Sequence, residues 1–230
     1  MNTITLPSKS MEKMKGYDLS DWERYAKVFA SITTPAQMEV YEEASSYLFG
    51  NVLDAGSGTG KIAHYLNSNP KIDSYTGVDS SKEMVEVGND ILRRLEQPLF
   101  KIKHCKIENT VGVFDSAVSI QSFYAWPNPR STLGSIFKLL KPNGIFILAT
   151  VNNKLNLNTL IKDADKILAG HPNIDMYKQL NIQLADNAKG NFISLDELVC
   201  LVREMGFCIL EANQRYFHGG INFLVIKKKG

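Results

Sequence analysis

The segment Asp54-Ala55-Gly56-Ser57-Gly58-Thr59-Gly60 constrains this chain more than any other. It joins an apolar stretch at 51–55, which reads as a buried strand, to an amphipathic stretch at 59–68, which reads as a helix. Glycines suit such a junction, because the backbone turns tightly and a ligand approaches without meeting a Cβ. A helix starting near Thr59 is expected to aim free N–H groups and its positive end at that ligand, favouring an anionic group. The spacing Gly-x-Gly-x-Gly differs from the Gly-x-Gly-x-x-Gly of nicotinamide and flavin folds. Gly60-Lys61-Ile62 also lacks the Lys-Ser/Thr ending of a triphosphate loop.

Downstream, short apolar strands alternate with helices. Strands are predicted at 51–55, 75–79, 100–105, 114–120 and 144–151, and helices at 59–68, 81–95 and 129–141, with Ser80 and Glu83 forming a capping box. This alternation requires crossover connections and hence a parallel sheet. Upstream, Ser20 with Glu23 forms a capping box for an aromatic-faced helix, and Thr34, Pro35 and Gln37 open a second helix running to Gly50. A long insertion, 152–192, carries two more helices. Ser194 with Glu197 boxes another, and the chain ends in two strands, 207–217 and 221–228, joined at His218-Gly219-Gly220. So short a joint implies a hairpin, with the last strand antiparallel. The expectation is one α/β domain with a seven-stranded, mostly parallel sheet and helices on both faces. Its parts are a helical cap (1–50), a cofactor-binding core (51–151), a substrate-cap insertion (152–192) and a C-terminal helix and hairpin (193–230).

Composition narrows the function classes. With 26 basic and 24 acidic residues the net charge is +2, so no strong field draws nucleic acid or an anionic membrane. The insertion holds five lysines and four aspartates, again no basic stripe. Cys105, Cys200 and Cys208 lack metal-ligand spacing and read as reduced, mostly buried thiols, so no metal is expected. The first residues hold no apolar stretch of signal-peptide length, and no apolar run reaches the roughly 18 residues of a membrane span. A cytoplasmic protein without a membrane segment is the expectation.

Asp79 ends the second strand, where a carboxylate can accept both hydroxyls of a ribose; capping of the following helix is its competing role. Residues 51–84 (NVLDAGSGTGKIAHYL, then YTGVDSSKEM) resemble class I S-adenosylmethionine-dependent methyltransferases, in particular the group containing the ubiquinone and menaquinone biosynthesis enzymes. FDSAVSIQSFYAWPNP and LLKPNGIFILAT are similar to that group's fourth and fifth strand regions. The resemblance implies a Rossmann-like fold, S-adenosylmethionine as methyl donor and S-adenosylhomocysteine as product. It also implies that Asp54, Gly56, Ser57, Gly58 and Gly60 receive the methionine part and Asp79 the ribose. Ser80 then lies against the adenine, and Gln121 and Ser122 flank the sulfonium. The family often places an aspartate after the third strand to meet the adenine amino group. Here Cys105 or Lys106 stands there, leaving Glu108 or a backbone carbonyl as substitutes.

Ligands of an open α/β sheet bind beyond the carboxyl ends of its strands. That location brings Tyr124 and Trp126 after the fourth strand, and Tyr216 and His218 at the hairpin, toward the acceptor. Trp22 and Tyr25 are further candidates for substrate contact, with core packing as the competing role. Alignment of donor and acceptor can supply roughly 7–11 kcal/mol of barrier reduction. A base is needed only if the acceptor loses a proton. Histidine is the residue type suited to that near neutral pH, so His218 is the first candidate and Tyr124 the second. The expected reaction is methylation of a small, largely apolar or aromatic metabolite. Nucleic-acid methylation and a non-catalytic cofactor-binding partner are the alternatives. The acceptor atom and the oligomeric state are not legible.

Overall fold

The computed structural model describes residues 17, 19–185 and 190–230. The polar leader and residues 186–189 of the insertion lie outside it. Two helices come first, α1 (Leu19–Ser31) and α2 (Pro35–Ser46). The sheet units follow: β1 (Gly50–Ala55), α3 (Ala63–Leu66), β2 (Ile72–Asp79), α4 (Lys82–Leu92), β3 (Phe100–His104), β4 (Phe114–Ile120), α5 (Pro129–Leu139) and β5 (Leu140–Val151). The insertion contributes α6 (Leu157–Ile167) and α7 (Ile174–Leu184). The chain closes with α8 (Leu195–Glu204), β6 (Phe207–Arg215) and β7 (Ile221–Lys228).

The seven strands lie in the order β3-β2-β1-β4-β5-β7-β6. Pairing is parallel from β3 to β5, and β7 runs antiparallel to both neighbours, with Ile147 opposite Val225 and Ala212 opposite Leu224. This is the expected Rossmann-like sheet. Alternation along β1 divides the core, Val52 facing one side and Leu53 the other. Tyr41 and Ala44 of α2, Leu66 of α3 and Val85 of α4 pack on the Val52 face. Leu133 and Ile136 of α5 and Leu198 and Val202 of α8 cover the Leu53 face. A third apolar cluster joins α1 (Tyr25, Val28) to α6 (Ala164) and α7 (Tyr177, Leu180), which makes a roof over the strand ends. Among the described residues no helix is long and apolar enough to cross a membrane.

Several local expectations are corrected. The helix expected at 59–68 is regular only over Ala63–Leu66. Gly56, Gly58 and Gly60 all have positive φ (75°, 53° and 72°), which a right-handed helix does not accommodate, so turns run on to residue 62. The anion site expected at a helix N-terminus is therefore not formed by α3. Ser81, not Ser80, caps α4, accepting from the Met84 N–H. Ser20 lies inside α1, which begins at Leu19, so it does not hold the N-cap position. The helix α2 stops at Ser46, short of Gly50, which opens β1 instead. The boxes at Thr34/Gln37 and Ser194/Glu197 are both formed. The cysteines are less buried than expected, with Cys200 exposed on α8 and Cys105 and Cys208 half-buried at strand ends. Leu140 already pairs with Phe114, and the expected turn at 141–144 is a bulge within β5.

Candidate active site

The glycine turn is built from backbone contacts. The N–H groups of Gly56 and Ser57 both donate to the Val78 carbonyl, at 2.9 and 3.0 Å. Gly58 N–H donates to Asp79 Oδ2 at 2.8 Å and Ser81 N–H to Asp79 Oδ1 at 2.9 Å. Asp79 thus ties the turn to the start of α4 and shares in capping that helix. On the other side, a Cβ on Gly56 would stand 2.5 Å from both Cβ and Oγ of Ser122, so only glycine lets the turn meet the end of β4. Ser122 Oγ donates to the Ala55 carbonyl (2.9 Å), lies 2.7 Å from Ser119 Oγ and accepts the Trp126 indole N–H (3.1 Å). The result is a rigid floor joining β1, β4 and the residues that follow.

Over this floor lies a cavity of about 480 Å³. Asp54, Gly56, Ser57, Gly58, Asp79, Ser80, Cys105, Lys106, Gln121 and Ser122 all line it. Gly60 does not: its Cα faces inward, and a Cβ there would stand 2.8 Å from Ile102 Cδ1. Its glycine serves packing between turn and sheet. Beyond β3, Glu108 also lines the cavity, its carboxylate accepting from Thr132 Oγ1. Gln121 carries φ 54°, a conformation costing a non-glycine residue about 1–3 kcal/mol, and donates its N–H to the Ala149 carbonyl at 2.7 Å.

Burial sets the electrostatics. Desolvation raises Asp54 to about 7, opposed by the Tyr75 hydroxyl that donates to it at 2.7 Å and assisted by the charge of Asp79. Asp79 is also raised, by desolvation, while the N–H groups of Ser81 and Gly58 pull it back. Lys61 is lowered to about 7 by desolvation. Burial pushes the Tyr124 phenol far above its ordinary value, and the neighbouring Tyr17 and Tyr177 add to the effect. Tyr124 therefore holds its proton at neutral pH in the empty site, and its ring packs against Trp22 and Phe192.

A second cavity, of about 340 Å³, meets the first at Gln121, Tyr124 and Asn181. Its walls are largely apolar, from Val151, Leu155, Leu160, Ile161, Phe192 and Phe217. Tyr216 and His218 line it as well. Trp22, Tyr25 and Trp126, the other expected substrate contacts, line the first cavity. Trp22 meets Tyr17 edge-on and Tyr124 at a tilt, at centroid distances of 5.7 and 6.1 Å. Tyr25 is buried, and its hydroxyl accepts from Asn181 Nδ2 at 3.0 Å. His218 is exposed, and its Nε2 lies 2.7 Å from Asp163 Oδ2 of α6.

The turn carrying these residues is strained. Tyr216, Phe217 and His218 have φ of 56°, 44° and 56° in succession, and Gly219 follows at 81°. Asn152, fully buried at the end of β5, holds the turn by donating its side-chain amide to the Gly219 carbonyl at 2.9 Å and its own N–H to the Gly220 carbonyl. Sequence reasoning missed Asn181, Phe29, Phe217 and Lys61. The first three carry no motif, because their neighbours come from distant segments. Lys61 adjoins the glycine motif, and its unusual burial is a product of α1 lying above it.

Residues 50–196 match a family model described as a methyltransferase domain. The chain belongs to this methyltransferase family. Within it, fold and motifs place the chain among the class I S-adenosylmethionine-dependent enzymes. It is 26% identical over 142 residues to a ubiquinone biosynthesis O-methyltransferase of Haemophilus ducreyi, covering 56% of this chain and 58% of that one. The chain spans between 36% and 58% of the length of the first three curated relatives it matches. Among solved structures it is similar to a chain from the complex of the Haloferax volcanii Trm112 methyltransferase activator with a methyltransferase (TM-score 0.67, 16% identity, 91% of this chain and 98% of that one). It is also similar to the N-methyltransferase NodS of Bradyrhizobium japonicum, solved with S-adenosylhomocysteine (TM-score 0.64, 13% identity, 92% and 98%). At such identities the structural likeness concerns the fold.

Proposed function

We propose that this methyltransferase moves the methyl group of S-adenosylmethionine onto a small, largely apolar or aromatic metabolite held in the second cavity. The observation that carries this reading is the pair of cavities, about 480 and 340 Å³, meeting at Gln121, Tyr124 and Asn181. The larger one fits the cofactor. It has glycine backbone on one side, the carboxylate of Asp79 at the end of β2 for a ribose, and Ser80 to Glu108 around the far end. The smaller one offers mostly aliphatic and aromatic surface to an acceptor, as small-molecule sites do.

When bound, the sulfonium supplies an electrophilic methyl group and a good leaving group. The chain's own contribution is alignment and exclusion of water. Gln121, fixed by its strained backbone, and Tyr124, a protonated phenol, border the passage between the cavities and position both reactants. The rings of Trp22, Tyr124 and Phe192 pack together beside that passage. Where the acceptor must release a proton, His218 at the outer wall is the group placed to take it. Its Nε2 is engaged by Asp163, so Nδ1 is the nitrogen left to accept.

Incubation with methyl-labelled S-adenosylmethionine and fractionated metabolite extract tests the reading. Label is expected in a low-molecular-weight apolar or aromatic product. Label in nucleic acid, or tight cofactor binding with no acceptor in any fraction, would overturn it.

A further inference from the structure

Lys61 follows the glycine turn directly, yet its side chain is only 9% exposed. The ammonium donates to the Ile32 carbonyl just past the end of α1 and stands 3.9 Å from the centroid of the Phe29 ring. That same ring comes within 3.2 Å of where a Cβ on Gly58 would be, so Lys61, Phe29 and the turn form one wall of the first cavity. An ammonium has three N–H donors and no acceptor. One donor is used on Ile32, and the Phe29 face offsets part of the charge, which leaves two N–H donors without an acceptor. Burial alone depresses Lys61, and no carboxylate among the described residues offsets it. A buried charge of this kind is costly unless a counter-ion arrives. Lys106 also lines the cavity, at its opposite end, but is exposed.

We infer that Lys61 is the counter-ion for the carboxylate at the amino-acid end of the bound cofactor. The inference rests on the cofactor reading above and adds a residue to it. The turn leaves backbone space beside Gly56 and Gly58, and Lys61 brings the only buried cation among the described cavity residues to that side. Asp54 lines the same cavity, with its charge available to the ammonium group of the same amino-acid end. One buried acid and one buried base that do not pair with each other match a zwitterion. The role of Lys61 as a clasp between α1 and the turn, through the Ile32 carbonyl, is separable from this by experiment.

Two probes isolate the carboxylate: S-adenosylhomocysteine, which has it, and 5′-methylthioadenosine, which keeps adenine, ribose and sulfur but lacks the amino-acid end. For K61M, the dissociation constant of S-adenosylhomocysteine is expected to rise about tenfold or more, a loss of roughly 1.4 kcal/mol. That of methylthioadenosine should stay within about twofold. The empty K61M protein should melt no lower than wild type, because a desolvated charge has been removed. K61Q retains a donor for Ile32 without the charge and should show the same discrimination, so it reports even where K61M fails to fold. Equal weakening of both probes, or of neither, overturns the inference while leaving the cofactor reading intact. Wild-type protein that binds neither probe overturns the cofactor reading and this inference together.

Discussion

The two cavities are made from different materials. The larger is framed by strand ends and by tight turns whose backbone N–H and C=O groups hold Gly56, Ser57, Gly58 and Asp79 in one arrangement. The smaller is walled by helix side chains from α6 and α7, by Leu155 and Phe192, and by the turn at 216–219. Backbone recognition leaves little freedom for substitution, since an added Cβ collides and no rotamer avoids it. A wall of Leu, Ile and Phe side chains can be recut one residue at a time. Substitutions should therefore act sharply in the first and gradually in the second.

Gly56→Val should produce the largest effect. The new side chain meets Ser122 at 2.5 Å and the backbone needs φ 75°, which a β-branched residue resists. S-adenosylhomocysteine binding measured by calorimetry should weaken about 100-fold or more, with a lower melting temperature. Asp79→Ala removes the proposed ribose acceptor together with two backbone hydrogen bonds, and binding should fall about tenfold or more. An unchanged dissociation constant would remove the carboxylate from the site. Ala164→Phe places a ring into the second cavity from α6. Methyl transfer to the acceptor should drop severalfold at sub-saturating acceptor, while S-adenosylhomocysteine affinity stays within about twofold. Equal losses of both would mean that the cavities are one site.

A smaller effect is expected at the strained turn. His218→Gly relieves its φ of 56° and should stabilise the empty protein by up to about 1 kcal/mol in chemical denaturation. It should also lower turnover of any acceptor that loses a proton. A loss of stability would show that the Asp163 contact outweighs the strain.

A last comparison is one of pH. Asp54 rises from its ordinary 3.8 to about 7, so the folded state loses stability as pH climbs through that window and is level above it. Lys61 falls from 10.5 to about 7, so stability is lost as pH drops from 10.5 toward 7 and is level below. Together these groups place a minimum in the stability of the empty protein near pH 7. Thermal melts across pH 5–10 should show that dip, and D54N and K61M should each remove one side of it. A monotonic profile would show that other groups dominate.

Much of the first cavity was legible beforehand. Gly56, Gly58, Asp54, Asp79, Gln121 and Ser122 stand at strand ends, and a strand end followed by a tight turn leaves its mark in local sequence as glycines and a placed acid. The sheet was legible for the same reason, its apolar runs and turn residues being short-range signals. The finer geometry was less so. Ser80 and Ser81 are equally good capping residues on paper, and only the path of the backbone out of β2 selects Ser81. Three glycines suggested a helix start at Thr59, yet their left-handed conformations postponed it to Ala63.

The second cavity was hardly legible. Asn181, Phe192 and Phe217 come from separate segments, and their meeting depends on how α6 and α7 pack under α1. Trp22, Tyr25 and Trp126, expected to contact an acceptor, line the first cavity and not the second. Local sequence determined the methyltransferase fold and its glycine turn, because turns and strand ends are decided by residues a few positions apart. Tertiary structure alone decided the burial of Lys61, the bond from Asn152 to the strained turn and the line between the two cavities. Those features depend on contacts between residues far apart in the chain, and no local pattern records them.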